Sequence, residues 1–158
     1  MTSAHCEVKI PDHPTESPHM SSQPVTPDFL QQALSELFAP WVRALNLQVE
    51  RLDADGVTLR LPQSDQLSRV GGILCGQAMM AAADTAMVLA LIQHFGAFKP
   101  CSTVQLSSTF MKPLSGQDAL VSARLLRVGK AMAFGEIDLH GADDGKSVFR
   151  ASTTYALM

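Results

Sequence analysis

The chain is short of charge. Only 17% of its 158 residues are Asp, Glu, Lys or Arg, the formal net charge is −3, and no block of like charge occurs. Surfaces that grip nucleic acid neutralise phosphates with clustered Lys and Arg, so this composition excludes that class beyond a small local patch. No charged run reads as an interaction tail. Cysteine is also sparse. Cys6, Cys75 and Cys101 are odd in number, widely spaced and form no CxxC. That excludes a disulfide framework and a zinc motif, and it predicts three reduced thiols in a cytoplasmic protein. Long apolar runs are missing too. The longest, residues 78–92, is interrupted by Asp84 and Thr85 and falls short of the roughly 20 apolar residues that cross a bilayer. No basic n-region followed by an apolar h-region stands near the N-terminus, so neither a secretory leader nor a membrane partner is expected.

What is present is a 46% hydrophobic chain of single-domain length, enough for a sizeable core. Residues 1–26 depart from it. Pro11, Pro14, Pro18 and Pro24 recur there among Ser and Thr, with too few apolar residues to offset the entropy of ordering. A flexible tail is predicted over 1–26 and a folded domain over 27–158. His5, His13 and His19 fall in the tail and read as incidental rather than as metal ligands. His94 and His140 show no ligand spacing, so no metal is expected.

Thr26 and Pro27 supply a cap and a first helical residue, and Phe29, Leu30, Ala33, Leu34, Leu37 and Phe38 follow at helical spacing. Pro40 should end that helix, with Trp41 and Val42 folding over the core as a lid. Residues 45–52 and 57–61 alternate as strands, joined by a turn at Ala54, Asp55 and Gly56 in which Gly supplies positive φ. Residues 63–74 read as a polar loop. A long helix is predicted over 76–94, apolar on nearly every face and ended by Gly96. Four strands follow near 102–111, 119–127, 131–140 and 147–157, separated by turns at Ser115-Gly116, Gly129-Lys130 and residues 142–145. The fold class is α+β: a curved antiparallel sheet wrapped around one long central helix.

The chemistry concentrates in GGILCGQAMMAAADTA, residues 71–86. Asp84 is the only charged residue between Arg69 and Lys99. A carboxylate inside an Ala/Met/Leu helix is unfavourable unless it is paired, hydrogen-bonded or protonated. It is either a functional acid or a buried Asp bonded to backbone or to Thr85. Gly76 opens the same helix. Its free N–H, with the helix dipole behind it, is placed to bind a developing negative charge. Gly76 and Asp84 lie eight residues apart, or about 12 Å along a helix. One helix does not bring both to a single carbonyl carbon. Two antiparallel copies would, so a dimer with shared sites is expected. Met79, Met80, Met87 and Met111 suit either an acyl pocket or core packing.

This stretch resembles the hotdog-fold acyl-CoA thioesterases of the phenylacetate-degradation (PaaI-like) and thioesterase-superfamily-member type. Their helix opens with His-Gly-Gly and carries Asp eight residues after the first Gly. Here Cys75, Gly76 and Gln77 stand at the motif, and Asp84 with Thr85 matches its second part. TVQLSSTFMKP (103–113) resembles the family's third strand, and RVGKAMAF (127–134) its next hairpin. The match covers roughly residues 45–157.

The resemblance implies hydrolysis of acyl-CoA to free acid and CoA without a cofactor, by a homodimer or a dimer of dimers. Asp84 would be base or nucleophile, and Gly76 of the partner subunit would polarise the carbonyl. Arg69 replaces an Asn or Gln that orients substrate or water, Thr103 contributes to the site, and Cys75, Gln77, Thr85 and Lys130 contact substrate or CoA. Three positions depart from the pattern: Cys75 for His, Gln77 for Gly and Arg69 for Asn. Cys75 reads as a thiol filling the histidine's space rather than as a nucleophile. An Arg69–Asp84 pair would weaken the Asp as a base. The departures keep a non-catalytic acyl-CoA or acyl-carrier binding protein open as an alternative. A hydratase on the same fold is disfavoured by the missing histidine.

Overall fold

The computed structural model describes residues 25–158, so residues 1–24 of the expected tail, Cys6 among them, lie outside the described residues. Helix α1 (Pro27–Leu37) starts as its sequence dictates. Thr26 Oγ1 accepts a hydrogen bond from the Phe29 N–H at 3.2 Å, and Pro27 occupies the first turn. Its buried stripe is Leu30, Ala33 and Leu34. Pro40 does more than stop this helix: it begins the short α2 (Pro40–Arg43). Only half of the expected lid forms. Val42 packs on the core, but Trp41 is 64% exposed. Adjacent helical residues point about 100° apart, so a four-residue helix turns only one of the two inward.

The expected alternation begins before its strand does. Leu45 and Leu47 are buried, yet they belong to the turn after α2, where Asn46 adopts φ 54°. Strand β1 runs Gln48–Asp53 and pairs with β2 (Gly56–Leu61). Gly56 is not at positive φ. Glycine is needed there because a Cβ would stand 2.1 Å from the Ala123 carbonyl oxygen of the neighbouring strand. The polar loop over 63–74 contains a small ribbon, β3 (Ser68–Arg69) with β4 (Ile73–Leu74). Strands of two residues are too short to show period-two alternation. Cys75 N–H donates to the Leu67 carbonyl at 2.9 Å, and Leu74 N–H to that of Leu114 at 2.8 Å, which ties the ribbon to the helix start.

Helix α3 (Gly76–Phe95) ends at Gly96, which takes φ 73° as its C-cap. By length and composition alone α3 could cross a membrane, but it is the core helix, with 61% of its most apolar window buried. Strands β5 (Cys101–Phe110), β6 (Ala119–Val128), β7 (Met132–Gly141) and β8 (Ser147–Leu157) complete an antiparallel sheet of order β1-β2-β6-β7-β8-β5. The helix packs mainly on β6 and β2 and more lightly on β7 and β5. This asymmetry leaves one stripe of α3 open, Gln77, Met80, Ala81, Asp84 and Val88, beside the least covered strand, β5.

The two sheet edges differ. At β1 the Gln31 side chain of α1 accepts from the Val49 N–H at 2.8 Å and donates to the Leu47 carbonyl at 3.1 Å. Nothing comparable covers β5 among the described residues.

Replacing Gly56 by Ala sets a methyl group against backbone rather than against a movable side chain. The expected loss is about 3 kcal/mol of unfolding free energy. A lower urea midpoint at unchanged m-value checks it.

Candidate active site

Asp84 is half-buried on the open stripe of α3, not sealed in the core. Its partners come from the far end of the sheet. Thr103 Oγ1 of β5 donates to Asp84 Oδ1 at 2.9 Å. The Tyr155 hydroxyl of β8 donates to the same Oδ1 and also lies 3.0 Å from the Asp84 carbonyl oxygen. Thr103 and Tyr155 are cross-strand partners, so the sheet register delivers both hydroxyls together. A bulge between Thr103 and Gln105 follows at once. Bulges re-aim side chains next to sites. Asp84 is held neither by Arg69 nor by Thr85.

These contacts set the local electrostatics. Tyr155 is 1% exposed. Burial first, then the Asp84 charge, push its phenol well above the ordinary value of 10 and keep it a donor. The Cys101 thiol is raised for the same two reasons, burial before the Asp84 charge.

The helix N-terminus opens into a separate cleft of about 630 Å³. Arg69, Gly76, Gln77, Met80, Phe110 and Lys112 are among its walls. Gly76 has no room for a side chain: a Cβ would lie 2.9 Å from the Phe110 ring. Met79 and Met111 also line the cleft, whereas Met87 is buried against Gly135.

Within one protomer the expected residues therefore fall into two groups. Arg69, Gly76 and Gln77 meet at the cleft, with Cys75 at the N-cap position behind them. Asp84 and Thr103 meet one helical span away. Thr85, 3% exposed, points into the core and adds no surface to either group. It follows Asp84 by one helical step, so the two face different ways. Lys130 is exposed in the β6–β7 turn and does not line this cleft, whereas Lys112 does. His94 packs edge-on against Phe95, and His140 Nδ1 faces Asp138 at 3.5 Å.

Sequence reasoning missed Tyr155, Phe110 and Lys112. For Tyr155 a signal existed, since a buried phenol needs a hydrogen-bond partner. The other two become visible only once β5 is laid along α3.

A curved sheet wrapped around one long helix, with an acid on the helix and a free amide at its start, is the hotdog architecture, and this chain belongs to the thioesterase superfamily. The Thioesterase superfamily model matches residues 71–148. A solved "putative thioesterase" from a Silicibacter species is 30% identical, with 84% of this chain and 91% of that one covered and a TM-score of 0.76. Zebra fish thioesterase superfamily member 2 shares the fold at a TM-score of 0.75 and 22% identity, over 85% of this chain and 99% of that one. A curated relative from Thermoplasma acidophilum, named "putative esterase", is 25% identical over 125 residues, which is 77% of this chain and 92% of the relative.

Tyr155 is the chain's only tyrosine, so its titration can be read directly. The native protein should show no phenolate absorbance as pH passes 10, whereas the unfolded chain should. A raised phenol stabilises the fold fully below that value, and the contribution is lost as pH climbs towards the native one. In Asp84→Asn the phenolate band should appear at lower pH than in wild type, which ultraviolet difference titration would measure.

Proposed function

We propose that the chain hydrolyses acyl-CoA thioesters at a site completed by a second copy of itself. The observation that carries this reading is the hydroxyl-anchored carboxylate of Asp84 on the open stripe of an otherwise apolar helix. Water attacks the thioester carbon while Asp84 accepts its proton. The tetrahedral oxyanion is met by the N–H of Gly76 of the partner subunit, and collapse expels CoA thiolate, which takes up that proton. Direct attack by Asp84, giving a mixed anhydride that water then opens, uses the same atoms.

Three features support the shared site. Asp84 and Gly76 stand apart in one protomer. Strand β5 offers an uncovered edge of ten residues, while the β1 edge is blocked by Gln31. Antiparallel pairing of two β5 strands brings the Thr103 end of one copy beside the Phe110 end of the other, and Phe110 lies on Gly76. The cleft's methionines and Phe110 suit an acyl chain. Arg69 and Lys112 suit the phosphates of CoA, alongside the expected Lys130. A dimer of dimers in the cytoplasm completes the reading.

The second reading is a binding protein without turnover, favoured by Cys75, Gln77 and Arg69 at motif positions. An acyl-CoA panel separates the two, since tight binding without hydrolysis by wild type supports the second.

Two variants test the shared site. Asp84→Asn should lose at least about 100-fold in kcat. Gly76→Pro removes the N–H at a position that favours proline, with Cys75 already in the extended backbone required before it, φ −72° and ψ 147°, and its ring also pushes the Phe110 side chain aside, so both changes add to the loss at that site. It should be similarly inactive. Co-refolding the two inactive chains in equal amounts should restore about a quarter of wild-type activity, because half the dimers then carry one intact site of two. Steady-state thioesterase assays with sedimentation to confirm dimers check this, and no recovery would place both residues in one protomer's site.

A further inference from the structure

The buried phenol of Tyr155 has no part in the chemistry just described, yet its placement is specific. It is enclosed on β8 between Thr103 of β5 and Ala133 of β7. At 1% exposed, it neither touches substrate nor delivers a proton to it. Leaving a phenol hydroxyl unpaired in such surroundings would be strongly unfavourable. Its one proton is shared between two acceptors, and both belong to Asp84: the main-chain carbonyl and the side-chain Oδ1.

A single donor that bridges the main chain and side chain of one residue fixes that residue's side-chain rotation. Thr103 adds a second donor to the same Oδ1. Oδ1 is thereby filled. Among the described residues no protein donor reaches Oδ2. The carboxylate's two oxygens are thus chemically unlike before any substrate arrives.

We propose that Tyr155 is a positioning residue for thioester hydrolysis, fixing Asp84 so that Oδ2 alone is presented to water or to the thioester carbon. This rests on the catalytic reading of Asp84 given above. Because its hydroxyl stays a donor across the working pH range, the role is orientation and support of the ionised carboxylate, not acid catalysis.

The test is Tyr155→Phe, which keeps the ring and removes only the hydroxyl. Expected is a fall in kcat of roughly 10- to 100-fold with KM within about twofold, since a misdirected group slows chemistry more than binding. The acidic limb of the kcat/KM profile should move to higher pH, because a carboxylate that loses a donor holds its charge less well. Combining Tyr155→Phe with Thr103→Val should cost less than the product of the single effects, as both act on one oxygen. Ile137→Val, a core change in β7, should lower stability while leaving kcat and the pH profile in place.

If the Phe variant does not fold, 3-fluorotyrosine in place of the sole tyrosine keeps packing and hydroxyl and gives a stronger donor. The acidic limb should then move to lower pH. An unchanged kcat and profile in the Phe variant, or an unchanged profile in the fluorinated protein where the Phe variant does not fold, overturns the role, as does an effect confined to KM. A wild type that hydrolyses no acyl-CoA overturns the catalytic reading and the role with it. An active wild type whose Tyr155→Phe variant matches it overturns the role alone.

Discussion

One electrostatic demand organises this molecule: a carboxylate placed in the middle of an apolar helix must be given donors. No residue of the helix itself answers it. The donors come from β5 and β8, which sit at one end of the sheet, while the helix leans on β6 and β2 near the other. The sheet has to curl far enough for Thr103 and Tyr155 to meet Asp84. Removing a buried acceptor's donors leaves the full desolvation penalty behind, which is larger than the net gain of an ordinary hydrogen bond. Curvature, register and site geometry are therefore one constraint and not three.

Much of the architecture was legible in the chain. The order of elements, the limits of the last strand, the start of α1 and the end of α3 follow from apolar periodicity and from Thr26, Pro27 and Gly96. Asp84 stood out because charge is so sparse around it. What escaped was set by contacts distant in sequence. The Gly56 turn looked like a φ requirement but is a close approach to Ala123. The alternation at Leu45 and Leu47 imitated a strand where the backbone turns at Asn46. The ribbon of β3 and β4 is too brief to leave a periodic trace. Tyr155 sat in plain view on an inward strand position, but periodicity does not say which helix residue an inward side chain will meet.

The chemistry divides along the helix. Its first turn faces an apolar cleft with two cations, and its middle faces the hydroxyl pair. The departures from the family pattern, Cys75, Gln77 and Arg69, all fall in the first group. The Asp84 group matches the pattern at Asp84 and Thr103. The departing positions thus lie at the cleft, while the carboxylate of Asp84 is fixed by the sheet.

The glutamine plug on β1 has a further effect. Sheets with two free sides can add copies without end, as fibrils do. This sheet has one side already occupied by its own chain, so a two-fold contact through the other leaves no strand to recruit a third molecule. A single amide from α1 thus closes one of the two edges that open-ended polymerisation would need, so that any pairing of copies through β5 would stop at two along the sheet direction.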